Sequence, residues 1–161
     1  GCVGGVVGFC GFFFFFLTPP RGAPGAGGGG GGWRPPPPPA HALIPLAGAR
    51  PWPAPDGCWQ ALAQLGIERL DGCVLVSAQP RQLQAGLNAG LWTIGLAASG
   101  PSCGLSPADW DALGHTERDR LRADATLELY RLGVHSVIDH LGELQPCLHD
   151  LAVRRLKGEK P

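Results

Sequence analysis

The spacing of apolar residues divides this chain near residue 50. Before that point they come in unbroken runs, and beyond it they recur at helical and strand periods. Asp56 is placed to cap a short helix in which Cys58, Leu62 and Leu65 share a face, ending at Gly66. Residues 73–77, CVLVS, are short, apolar and rich in Val, which predicts a strand buried on both faces. Pro80 suits the first turn of a second helix, which carries Leu83 and Leu87 one turn apart and runs to Gly90. Residues 91–97, LWTIGLA, predict a second buried strand.

After the loop ASGPSCG, Ser106 and Pro107 open another helix, with Asp109 in a capping-box-like position. A longer charged helix is predicted over residues 116–132, with Leu121, Ala125, Leu129 and Leu132 inward and Gly133 as its stop. Residues 134–139, VHSVID, predict a third strand. Residues 141–157 predict a closing helix with Leu144, Leu148, Leu151 and Leu156 on its apolar face. Strands alternating with helices imply an α/β fold with a parallel sheet and right-handed crossovers. Three strands are few for an independent sheet, so the expectation is part of a larger domain.

The first fifty residues follow neither period. GCVGGVVGFCGFFFFFLTPP is uncharged and apolar over about the 20 residues a membrane helix needs, which raises the expectation of a tether. No basic segment precedes it and no small-residue cleavage pattern follows, so it does not read as a secretory signal. Gly27 to Gly32 and Pro35 to Pro39 come next. Polyglycine is flexible coil and polyproline a stiff spacer, and neither buries a core. Residues 1–50 are thus expected to be a disordered low-complexity region and residues 51–161 the folded domain. The same Gly, Pro, Ala and Arg bias arises when GC-rich non-coding sequence is translated. A first residue of Gly adds the expectation of a fragment.

Charge changes this picture little. Thirteen Lys and Arg balance thirteen Asp and Glu among 161 residues, so no basic field points to nucleic acid. Arg21, Arg34 and Arg50 are the only charged residues before residue 51, which leaves the remainder mildly acidic and poorly suited to an anionic membrane surface. Six cysteines, Cys2, Cys10, Cys58, Cys73, Cys103 and Cys147, are widely spaced and form no C-x-x-C pair. They read as buried or half-buried thiols of a reducing compartment rather than a disulfide scaffold.

Four blocks resemble a known family: PAPDGCWQALAQLGI, GLNAGLWTIGLAASG, GLSPADWDAL and LGVHSVIDHLGEL. In order and spacing they look like the C-terminal segment of phosphonoacetaldehyde hydrolase, of the haloacid dehalogenase superfamily. The resemblance covers about residues 51–161 and implies part of a Rossmannoid parallel sheet with flanking helices. It also implies the family's reaction, Mg²⁺-dependent hydrolysis of the carbon–phosphorus bond of phosphonoacetaldehyde to acetaldehyde and phosphate. In that reaction an Asp attacks phosphorus and a cap-domain Lys forms a Schiff base with the aldehyde. The protonated imine is the electron sink that lets a carbanion leave. The divalent ion screens the anionic group from the attacking carboxylate. A phosphonate substrate, a homodimer and a cytoplasmic location are further expectations of the resemblance.

The chain departs from the family where that chemistry would sit. Residues 1–50 resemble neither the nucleophile segment nor the Schiff-base segment. Where the family has an Arg before the Pro-Ala-Pro turn, this chain has Trp52, with Arg50 two residues earlier. The acids expected after the 73–77 strand fall on Ala78 and Gln82, and Ser77 stands where Asp or Gly is usual. Ala and neutral Gln cannot replace carboxylates around a hard cation. No residue is therefore assigned a catalytic, cofactor-binding or metal-binding role. The expectation is a fragment or degenerate member without activity. The alternative is a non-catalytic binding or interaction module, tethered by the Phe-rich run or pairing through an open sheet edge.

Single residues carry competing readings. Ser77 reads as a strand-end hydroxyl bonded to nearby backbone, since no partner base accompanies it. Asn88 reads as a helical Asn bonding backbone or solvent, with ligand contact as the alternative. Gly86 and Gly90 are expected to allow close helix–sheet packing, against a lesser reading of phosphate binding. His135, His140, Cys147 and His149 are near in sequence and raise a zinc site, although their spacing fits no standard pattern. Trp59, Trp92 and Trp110 read as packing residues. The run HTERDRLRAD reads as a solvated helix face with opposite charges three or four apart.

Overall fold

The computed structural model describes residues 4–9, 12–16, 48–101 and 103–161. Among them, five strands and five α-helices follow the chain. The strands are β1 (Gly4–Phe9), β2 (Phe12–Phe16), β3 (Cys73–Ser77), β4 (Trp92–Leu96) and β5 (Ser136–Ile138). The helices are α1 (Asp56–Gln64), α2 (Pro80–Asn88), α3 (Pro107–Ala112), α4 (His115–Arg131) and α5 (Leu144–Leu156). The sheet runs β1-β2-β3-β4-β5. Its β3, β4 and β5 are parallel, the α/β core that the periodicity predicts.

The parallel strands read as unbroken apolar runs because they are covered on both sides. Alternation along each strand sends successive residues to opposite faces. One face sets Cys73 and Leu75 against Cys58, Ala61 and Leu62 of α1, Leu83 and Ala85 of α2, and Ala125 and Leu129 of α4. The other joins Val74, Val76, Trp92, Ile94, Leu96 and Ile138 to Leu144, Leu148 and Leu151 of α5. Gly86 of α2 is where helix and sheet come closest. A Cβ there would lie 2.9 Å from Thr93 Cγ2 and 3.3 Å from Leu75 Cδ1, which accounts for Gly in a helix interior despite its entropic cost. Gly90 differs from the packing expectation. No atom lies within 4 Å of its notional Cβ, and its φ of +76° makes it the residue that turns the chain from α2 into β4.

The helix ends follow local rules with two corrections. Ser106 caps α3, accepting from the Asp109 N–H at 3.2 Å and donating to the Asp109 carboxylate at 2.6 Å. Asp56 is not the cap of α1; Pro55 holds that position, and Asp56 begins the helix with its carboxylate turned to Arg50. A carboxylate in the first turn still favours the positive helix terminus. Leu156, expected inward, is 83% exposed, although Arg154 of the same turn still reaches the Trp92 ring and the His135 carbonyl.

The Phe-rich run was expected to lack regular structure. Its described residues form β1 and β2, an antiparallel pair, and β2 runs antiparallel along β3 with Phe12 opposite Ser77 and Phe16 opposite Cys73. Val and Phe favour extended backbone, and Gly disfavours the helical alternative. The remaining positions of residues 1–47, with the disorder expected there and Cys2 and Cys10, lie outside the described residues. Among the described residues no helix is long and apolar enough to cross a membrane.

Candidate functional site

Open α/β sheets bind ligands beyond the carboxyl ends of their parallel strands. Here that edge consists of Ser77, Ala78 and Gln79 after β3, residues 97–100 after β4, and Asp139 after β5. Gly100 brings the first two tips together. A Cβ on it would stand 3.0 Å from the Leu96 carbonyl oxygen and 3.1 Å from that of Ala78. The Ala97 and Ala98 N–H groups donate to Ile138 and Asp139 carbonyls at 2.9 and 3.2 Å, extending the β4–β5 ladder past the strand ends.

The β3 tip is closed by a neutral hydrogen-bond network. Ser77 Oγ accepts from the Gln79 N–H at 3.0 Å and donates to Gln82 Oε1 at 2.6 Å. Ser77 is fully buried and Gln82 is 8% exposed. The reading of Ser77 as a strand-end hydroxyl bonded to nearby backbone describes half of this. Its second partner, the Gln82 side chain, escaped the sequence reading, although a polar residue at a helical position spaced with apolar Leu83 and Gly86 was the available signal. Ala78 contributes only a methyl group and its carbonyl.

At the β5 tip both carboxylates, Asp139 and Glu143, are already engaged. Asp139 receives Arg122 Nε at 2.9 Å, reaching across from α4, and its backbone N–H donates to Glu143 at 3.0 Å. Mg²⁺ requires several oxygen ligands and takes one or two from carboxylates. A methyl at position 78, a Gln82 oxygen occupied by Ser77 and an Asp139 carboxylate bridged to arginine do not fit that demand. Among the described residues no three His, Cys, Asp or Glu side chains gather as a metal group.

The residues raised for zinc are separated by the fold. His135 Nδ1 accepts from the Thr93 N–H at 3.0 Å, with Thr93 Oγ1 at the same distance, so the ring belongs to the β4 ladder. Its ring meets Trp92 edge-on at 4.8 Å, and the Arg154 guanidinium lies 5.3 Å from the Trp92 ring centre. Burial, and secondarily the Arg154 charge, hold its pKa below the usual imidazole value. Cys147 donates to Ser136 Oγ at 3.1 Å, while His140 and His149 are exposed.

The other flagged side chains are structural. Asn88 donates to the Pro53 carbonyl at 3.0 Å and accepts from Gln84 at 3.2 Å. Arg50 clasps Asp56 through two nitrogens, at 2.5 and 2.8 Å, and Trp52 packs on the core. Trp92 is fully buried and Trp110 lies against the core, whereas Trp59 is half exposed and donates to the Ala89 carbonyl at 3.3 Å. The α4 charge run is solvated, with Arg120 near Glu117 and Arg122 near Asp119. Cys58, Cys73, Cys103 and Cys147 are free thiols. Burial pushes Cys58 up to about 12 and Cys73 up to about 11, so neither is a nucleophile near neutral pH.

Comparison with known proteins gives this edge a context. The chain is 36% identical over 118 residues to a phosphonoacetaldehyde hydrolase of Aeromonas hydrophila, covering 71% of this chain and 40% of that protein. Similarity to the phosphonoacetaldehyde hydrolase of Salmonella agona is 37% over 122 residues, covering 72% of this chain and 42% of the other. The chain thus spans about two fifths of the length of these relatives. A crystal structure of a phosphonoacetaldehyde hydrolase like protein from Oleispira antarctica aligns with a TM-score of 0.68 at 35% identity, covering 70% of this chain and 41% of that one. Another solved structure, 65% identical, aligns with a TM-score of 0.69 and covers 74% of this chain and 61% of its own. No protein-family profile matches the chain.

Proposed function

We propose, from the premise that this chain belongs over its α/β part to the phosphonoacetaldehyde hydrolase family of the haloacid dehalogenase superfamily, that it is a non-catalytic member. The family reaction is Mg²⁺-dependent cleavage of a carbon–phosphorus bond. The observation that carries the reading is the β3 tip: Ala78 offers no side-chain ligand, and the Gln82 oxygen is held by Ser77. A phosphonate approaching the β3 tip would meet neutral side chains and backbone, and the guanidinium at the neighbouring β5 tip, Arg122, is already paired with Asp139. Ser77 is no substitute nucleophile, because its partners are an amide N–H and an amide oxygen rather than a base. A phosphonate ligand, a homodimer and a cytoplasmic location belong to the same reading.

The interaction-module reading has less support. An open β3 edge would invite a strand from another chain, but β2 lies along that edge. The test is a turnover assay of the purified chain with phosphonoacetaldehyde and millimolar Mg²⁺, following phosphate and acetaldehyde. The reading predicts no release above a blank lacking protein. Release that disappears on chelation would refute it.

A further inference from the structure

We infer that Ser77, Gln79 and Gln82 form a metal-independent clasp that holds the end of β3 to the start of α2, standing in the place where the family's divalent ion would tie that turn. The inference rests on the non-catalytic reading of this edge and adds a positive role for residues that otherwise look like losses. A carboxylate at a strand tip is an acceptor that needs a cation or donors to be buried. Ser77 is instead both donor and acceptor, and it closes on itself: the Gln79 N–H enters at 3.0 Å and the hydroxyl proton leaves to Gln82 at 2.6 Å. Gln79 precedes α2 in extended backbone and supplies no side-chain cap. Its carbonyl receives the Gln82 and Leu83 N–H groups at 3.0 and 3.1 Å, so the same residue closes the turn from both directions. All of this is buried or partly buried, where an unmade hydrogen bond is costly. The packing of Gly100 against the Ala78 carbonyl then carries the fixed turn to the β4 tip.

The experiment is thermal unfolding of the full chain in millimolar MgCl₂ and in excess EDTA, each with and without inorganic phosphate. The clasp predicts one melting temperature in all four conditions. Ser77→Ala, which removes the donor to Gln82 Oε1 and the acceptor of the Gln79 N–H, should lower it by on the order of 5 °C, equally with metal or chelator. Gln82→Met keeps side-chain length, removes the acceptor and should lower it comparably, which keeps the test open if one variant fails to fold. The double variant should lose less than the sum of the two single losses, because both remove the same Ser77–Gln82 bond. A saturable rise with Mg²⁺ in the unmodified chain would overturn the clasp, as would additive losses. Turnover without a metal response would instead sink the non-catalytic reading and leave the clasp standing.

Discussion

The body of the parallel sheet and its carboxyl edge are built on different principles. In the body, Leu75, Val76, Ile94, Leu129 and Leu151 are buried in two apolar clusters, one on each face. Hydrophobic burial is non-directional and scales with area, so many side chains of suitable size can satisfy it. At the edge, a handful of oxygen and nitrogen atoms decide what chemistry is available. On the proposed reading, the methyl of Ala78 and the amide of Gln82 decide what the β3 tip can bind without altering the body. The two regions should therefore respond separately to mutation.

The largest effect belongs to the body. Leu75→Ala opens a cavity beneath α2 and should cost about 2–5 kcal/mol, read as a lower urea midpoint with an unchanged slope. An unchanged midpoint would mean that the apolar body does not carry the stability assigned to it.

A smaller effect comes from His135, where β4 and β5 meet. The folded state holds its pKa below the ordinary 6.5. As pH falls from 6.5 toward the lower folded value, the unfolded chain binds the proton first, so stability declines across that window. Above 6.5 the imidazole is neutral in both states and adds no slope. Protonating Nδ1 would also set a proton against the Thr93 N–H that now donates to it. Melting temperature measured against pH should fall on the acid side, and His135→Gln should flatten that fall. An unchanged slope in the variant would remove His135 from the account.

The smallest effect is expected at the charged β5 tip. Arg122 and Asp139 are partly solvated, and exposed ion pairs are worth at most about 1 kcal/mol. Arg122→Ala should move the urea midpoint little and less so in high salt. A shift rivalling that of Leu75→Ala would show that this pair, not the apolar body, anchors β5.

Much of the body was legible because strand burial and helix amphipathicity leave periodic signals. Residues 73–77 and the Pro80 start of α2 emerge as read, and Ser106 caps α3 through the side chain its position suggested. Asp56 was misplaced by one position because a carboxylate near a helix start serves equally as cap or first-turn residue. Leu156 obeys the helical period yet faces solvent, since periodicity cannot say which residues of a helix's last turn find cover. The β2 pairing was invisible because five consecutive Phe carry no alternation. At the β3 tip, the identities of Ala78 and Gln82 are plain in the sequence. Their hydrogen bonding is not: the Ser77–Gln82 bond joins residues five apart across a strand–helix turn, which no period encodes.

The central claim is that the carboxyl edge seats no divalent ion. Titrating isotopically labelled protein with Mn²⁺, a paramagnetic substitute for Mg²⁺, and following backbone amide signals tests it most directly. The account predicts uniform, weak broadening across the chain at submillimolar ion. Selective, saturable loss of the Ala78, Gln79 and Gln82 amide signals would contradict it.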